Sequence, residues 1–210
     1  MPKPPALVIG PDLPALAARW RRDATAWAVG RSWPPRALLL MYVASAGYRR
    51  LGDREASCWF DGLTLLIHEL GHLLFQPFGE FLMVAGGSIT QLAAPLLTMF
   101  LFRRQGDWFG VSVAGGWLAM SAFHLAVYVA DAQDMSLPLV GFGSDPEHDW
   151  HYLLAATGTL HRSATYARLL EGGATLVWLA SCLSGAWLIW LIARAPAASD
   201  GPARGESATP

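Results

Sequence analysis

The sequence predicts an all-α polytopic membrane protein, and three observations carry that reading. The 210-residue chain is 53% hydrophobic and only 15% charged, with mean hydropathy +0.32, which is too apolar for an ordinary soluble domain. Its later apolar residues gather into runs long enough for a helix to cross a bilayer. The arginines sort unequally between the two sides of those runs, as the positive-inside rule requires. A net charge of −1 leaves no nucleic-acid footprint. The two cysteines, Cys58 and Cys182, lie in apolar runs and read as buried thiols rather than a disulfide or metal pair.

Residues 1–12 are a Pro-rich lead in which no cleavable signal is apparent. Residues 13–33 mix Arg19, Arg21, Arg22 and Arg31 with Ala, Leu and Trp, with Trp20 and Trp27 seven apart. That pattern predicts a basic amphipathic helix lying on the inner membrane surface. Pro34-Pro35 end it. Residues 37–48 are apolar but short for a span, and are expected to be interfacial or half-inserted. Four runs then read as spans: 59–76, stopped by Pro77; 81–102; 108–130; and 173–193. A long polar connection, 131–172, separates the last two. The resulting division is an N-terminal amphipathic and interfacial region, 1–58, a membrane-embedded region, 59–194, and a disordered tail, 195–210.

Basic residues choose the topology. With residues 37–48 kept out of the bilayer, thirteen of the fifteen Lys and Arg fall on the inner side and two, Arg162 and Arg168, on the outer. With that segment crossing, the split is eight against seven. The first arrangement gives about four spans with both termini cytoplasmic, and the Ala/Arg/Trp-rich composition fits a bacterial inner membrane.

The chemistry sits in the first span, where His68-Glu69-Leu70-Gly71-His72 interrupts an apolar segment. Residues four apart on a helix project from one face, one turn above the other, so both imidazoles can occupy positions of one tetrahedral zinc. Glu69 can reach a zinc-bound water as general base. Ionisable groups inside an apolar span are costly and mark function by default.

A catalytic zinc takes three protein ligands and an open position. The favoured third ligand is His148, near a helix start signalled by Ser144-Asp145-Pro146-Glu147. Asp149 is the next choice, as ligand or as the carboxylate orienting an imidazole, and Asp131 and His124 are the other options. Gly86, Gly87, Ser88 and Gln91 in the following span read either as hydrogen-bonding partners for an extended substrate strand or as small-residue helix packing with polar glue.

With HELGH on an apolar helix and Gly71 inside the motif, the chain resembles the site-2 protease family of intramembrane zinc metalloproteases. A weaker similarity lies in AGGSITQLAAPL, residues 85–96. In that family the third ligand is an Asp that follows a Leu-Pro stretch; here Leu137-Pro138 precedes Asp145 and Asp149, without the usual Asn-Pro and Leu-Asp-Gly forms. The resemblance implies a Zn2+ cofactor, a membrane-protein substrate and hydrolysis of a peptide bond in or beside its transmembrane segment. Two other readings are a non-catalytic membrane scaffold keeping a protease-like core, and a di-iron oxidase using His68/His72 with His148/His151.

Overall fold

Helix ends in this chain are set by prolines and capping carboxylates. In the computed structural model, which describes residues 12–138 and 148–196, they delimit seven α-helices: α1 Leu13–Ala28, α2 Pro34–Gly52, α3 Trp59–Phe75, α4 Glu80–Arg104, α5 Trp108–Ala130, α6 Asp149–Ala156 and α7 Ser163–Arg194. No strand occurs among the described residues. Proline at the first helical positions starts α2, where a missing N–H costs nothing. Asp12 and Asp107 cap α1 and α5 by accepting from Ala15 and Gly110 N–H. Pro77 turns the end of α3 into a short 3-10 helix, Gln76–Phe78. Gly79, at φ +92°, makes the reversal into α4 that an L side chain would resist.

Three helices, α4, α5 and the segment Leu160–Arg194 that includes α7, are long and apolar enough to cross a membrane. Two match the expected spans closely. The third starts some ten residues early, because Arg168 is exposed and Glu171 is paired with Arg54, so that neither ends it. The expected polar connection is correspondingly shorter and contains α6. The expected first span is a helix of 17 residues, about 26 Å long, and it carries Asp61, His68, Glu69 and His72. The span-capable helices therefore number three among the described residues, where four were expected. The tail beyond residue 196, the lead through residue 11 and the signal Ser144–Glu147 fall outside the described residues.

α5 is the axis of the bundle. It packs along α7 on one side and α4 on the other, and α3 lies against α4. α2 fills the trough between α5 and α7, with Val43 over Gly116, Trp178 over Gly47 and Leu40 over Gly185. The Trp178 indole N–H donates to the Val43 carbonyl at 3.1 Å. Here the structure corrects the sequence reading. Residues 37–48 belong to a 19-residue helix built into the core, with Val43 and Ala46 at most 1% exposed. α1 also packs on protein: its apolar face, Ala24, Trp27 and Ala28, is buried against Leu188, Ile192 and Phe109 of the bundle.

What admits α2 is an ion pair. Arg50 is 3% exposed, and its NH2 donates to both oxygens of Asp61 at 2.9 Å, while NH1 reaches the Arg54 carbonyl. The same carboxylate accepts the Cys58 N–H and caps α3. One side chain thus neutralises a buried cation and fixes where the next helix begins. Removing one member of a buried pair strands the other charge. Asp61→Ala should therefore destabilise the purified protein by about 3–5 kcal/mol, seen as a lowered denaturation midpoint; a change within about 0.5 kcal/mol, the range of an ordinary surface substitution, would mean the pair is dispensable.

Candidate metal centre

The site forms where α3 and α4 approach most closely. Gly71 and Gly86 face each other backbone to backbone, and a Cβ on Gly71 would meet Gly86 and the Thr90 hydroxyl. One residue along α4, a Cβ on Gly87 would lie 2.6 Å from His72 Nε2 and 2.7 Å from His68 Nε2. Glycine here is a steric requirement: only hydrogen leaves room for both imidazoles.

The rings are oriented by what holds their other nitrogens. His68 Nδ1 faces Gln91 Oε1 at 2.9 Å, and the Gln91 amide nitrogen donates to the Ser121 carbonyl. That second bond fixes the Gln91 oxygen toward His68, so His68 Nδ1 is the donor. His72 Nδ1 donates to the Met83 carbonyl at 3.0 Å. Both histidines therefore present Nε2 with a free lone pair, the arrangement seen when an imidazole is prepared for metal.

Both Nε2 atoms point at one oxygen. Asp149 Oδ2 lies 2.9 Å from His68 Nε2 and 3.3 Å from His72 Nε2. Three electron-rich atoms at such separations repel unless a proton or metal ion sits among them. Ligand atoms of a tetrahedral zinc, with bonds of about 2.0–2.1 Å, lie roughly 3.3 Å apart. His68, His72 and Asp149 form the one cluster of at least three His, Cys, Asp or Glu groups of metal-binding geometry among the described residues. Burial pushes the Asp149 carboxyl up, but a proton held between it and the imidazoles outweighs that and keeps the group below the usual carboxylate range.

α6 delivers that carboxylate and is held from three sides. The Asp149 N–H donates to the Tyr128 hydroxyl of α5 at 3.1 Å, the Trp150 indole to Ser88 of α4 at 3.1 Å, and His151 Nδ1 to the Ala132 carbonyl at 2.8 Å. His148, favoured as third ligand from sequence, has both nitrogens engaged elsewhere. Its Nδ1 accepts the His151 N–H and caps α6, and its Nε2 donates to Asp131 Oδ2 at 3.3 Å. Asp131 also accepts from Ser136 N and Oγ and from Leu137 N. Burial raises its carboxyl, yet these donors prevail and keep it below the ordinary range. It ties off the chain leaving α5.

The remaining candidates are placed as follows. His124 is half-buried on α5, makes no hydrogen bond among the described residues, and stands outside the cluster. Gly87, Ser88 and Gln91 line the site, but their groups serve the imidazoles and Trp150. Glu69 is half-buried beside His68 and has no hydrogen bond or ion pair among the described residues. His148 and His151 do not face His68 and His72 as a second metal pair, so a two-iron arrangement finds no support in the geometry. Two contributors escaped the sequence: the Met83 and Ser121 carbonyls carry no side-chain signal. Tyr128 shares roughly one helical face with His124 and Asp131 in the sequence, and its hydroxyl on the Asp149 N–H gives it a role. Comparisons with protein-family models, curated proteins and solved structures find no match to this chain.

The arrangement makes metal content the natural readout. Purified wild type should bind about one equivalent of Zn2+, His68→Ala and Asp149→Ala should lose it, and His148→Ala should keep it; loss in His148→Ala with retention in Asp149→Ala would reverse the assignment. Gln91→Ala, which frees His68 to rotate, should weaken the metal by about 10–100-fold in a competitive chelator titration. Because imidazoles ligate only when deprotonated, affinity should fall as pH falls.

Proposed function

We propose that the chain is an intramembrane zinc metallopeptidase that hydrolyses a peptide bond in or near the transmembrane segment of a membrane-protein substrate, in a bacterial cytoplasmic membrane with both termini on the cytoplasmic side. The observation that carries the reading is the convergence of His68 Nε2, His72 Nε2 and Asp149 Oδ2 with Glu69 next in the chain. His68, His72 and Asp149 would hold Zn2+, which when bound supplies Lewis-acid polarisation of the scissile carbonyl and lowers the pKa of a water. Glu69, free of competing partners, takes the proton from the attacking water and passes it to the leaving amine. The Tyr128 hydroxyl accepts from Asp149 N–H and has no acceptor for its own hydrogen among the described residues. That hydrogen is available to the substrate oxygen as negative charge builds on it.

A membrane-borne substrate is supported by the surroundings. The cluster lies against the first half of α4 and the second half of α5, both span-capable, and an apolar cavity of about 760 Å³ runs between α4, α5, α6 and α7. Trp150 stands in the cavity wall while bonded to Ser88, the neighbour of Gly87. A substrate helix lying there would have Trp150, the chain neighbour of Asp149, on its side.

The test compares membranes of cells expressing wild type or Glu69→Gln, by enriching newly formed protein N-termini. Wild type should generate termini within or beside transmembrane segments, and Glu69→Gln should lower them by about 10²–10⁴-fold with zinc content unchanged. Tyr128→Phe should keep the metal and lose about 10²–10³-fold in turnover. Zinc bound at one equivalent without any Glu69-dependent termini would instead make the molecule a metal-bearing scaffold.

A further inference from the structure

We propose that the end of the bundle away from the metal centre is a binding surface for anionic phospholipid headgroups, assembled by α1 together with the ends of α4 and α7. Such a surface requires only that the span-capable helices lie in a bilayer. Arg103 and Arg104 close α4, about 25 Å along that helix from Gly87, and Arg194 closes α7.

Exposed arginine is crowded at one end of the molecule. Toward the metal centre, Arg50 is paired with Asp61 at 2.9 Å and Arg54 with Glu171 at 2.7 Å, while Arg168 of α7 and Arg162 in the turn before it stand exposed without a carboxylate partner among the described residues. At the far end, Arg19, Arg21, Arg22, Arg103, Arg104 and Arg194 are exposed, and none has a carboxylate partner among the described residues. Two local acids, Asp12 and Asp107, accept N–H groups as helix caps, leaving Asp23 as the other described acid of α1.

Three of these cations, Arg103, Arg104 and Arg194, lie over aromatic rings. Arg103 stands 4.5 Å from the Trp108 centroid and Arg194 4.3 Å from Trp190. A guanidinium lying on a ring keeps its N–H edge free for an oxyanion. Trp20 of α1 stacks on Trp187 at 4.7 Å and meets Trp108 edge-on at 5.6 Å. With its apolar face buried in the bundle, α1 turns its arginines outward instead of inserting. Tryptophan and arginine at the very ends of spanning helices lie at headgroup depth, where the available anions are lipid phosphodiesters. That placement favours lipid over nucleic acid or an acidic protein.

The experiment places the full chain in nanodiscs of phosphatidylcholine alone or mixed with phosphatidylglycerol. It reads the thermal midpoint by tryptophan fluorescence and the lipid retained on extraction by native mass spectrometry. Phosphatidylglycerol should raise the midpoint and be retained in preference. Arg103→Gln/Arg104→Gln/Arg194→Gln should reduce that preference by roughly tenfold or more, whereas Arg162→Gln/Arg168→Gln, on the other side, should keep it. Should the triple variant fail to fold, Arg19→Gln/Arg22→Gln on the exposed face of α1 should show the same loss. Equal midpoints in the two lipids, preference surviving in both arginine variants, an equal effect of inorganic phosphate, or retention of nucleic acid or acidic protein in place of lipid would each overturn the proposal. Neither readout involves zinc or turnover, so the outcome is separable from that of the peptidase reading.

Discussion

A single carboxylate oxygen shared by two imidazoles among apolar helices is the contact on which the rest of this structure depends. It cannot stand alone, because ionisable groups away from water are tolerated only when each polar atom has a partner. The neighbouring polar residues meet that requirement in order. Gln91 and the Met83 carbonyl take the Nδ1 hydrogens, Ser121 takes the Gln91 amide, and Tyr128 takes the first N–H of α6. Glycines at 71, 86 and 87 supply the space. The polar residues of α4 and the small residues beside them are thus one device that brings α3 and α4 close enough for two rings to share a ligand.

The same economy of charge organises the rest of the bundle. Arg50 is admitted to the core because Asp61 accompanies it, and Asp61 in turn fixes the first residue of the helix bearing His68 and His72. α2 therefore positions α3 without extensive packing against it. Asp131 and His148 do equivalent work on the other side, closing the chain after α5 and capping α6 so that Asp149 faces inward. Away from these pairs, the arginines that close α4 and α7 lie over aromatic rings and have no carboxylate partner among the described residues.

Hydropathy and the four-residue spacing of His68 and His72 made α4, α5, most of α7 and two-thirds of the cluster legible in the sequence. Both signals are local, needing only the helical period. The third member of the cluster was not. It is 81 residues from His68, and His148 and Asp149 are adjacent at a helix start, where one residue of register decides which faces the imidazoles. Chemistry alone made either acceptable; the bonds from His151 and to Asp131 decide it. The packing of α2 was hidden for a related reason: the partner that lets Arg50 be buried lies beyond a turn. Gly87, Ser88 and Gln91 were recognised as site residues, with a substrate strand and helix packing left as rival roles. The neighbours needed to assign them, two imidazoles and the Trp150 indole, come from other helices.

The central claim is that His68, His72 and Asp149 together hold one zinc. X-ray absorption at the zinc edge on the purified full chain tests it most directly. The account predicts a shell of two imidazole nitrogens and carboxylate or water oxygen at about 2.0–2.1 Å without sulfur, changed by substitution of Asp149. A shell containing sulfur at about 2.3 Å, or one unaltered when Asp149 is replaced, would contradict it.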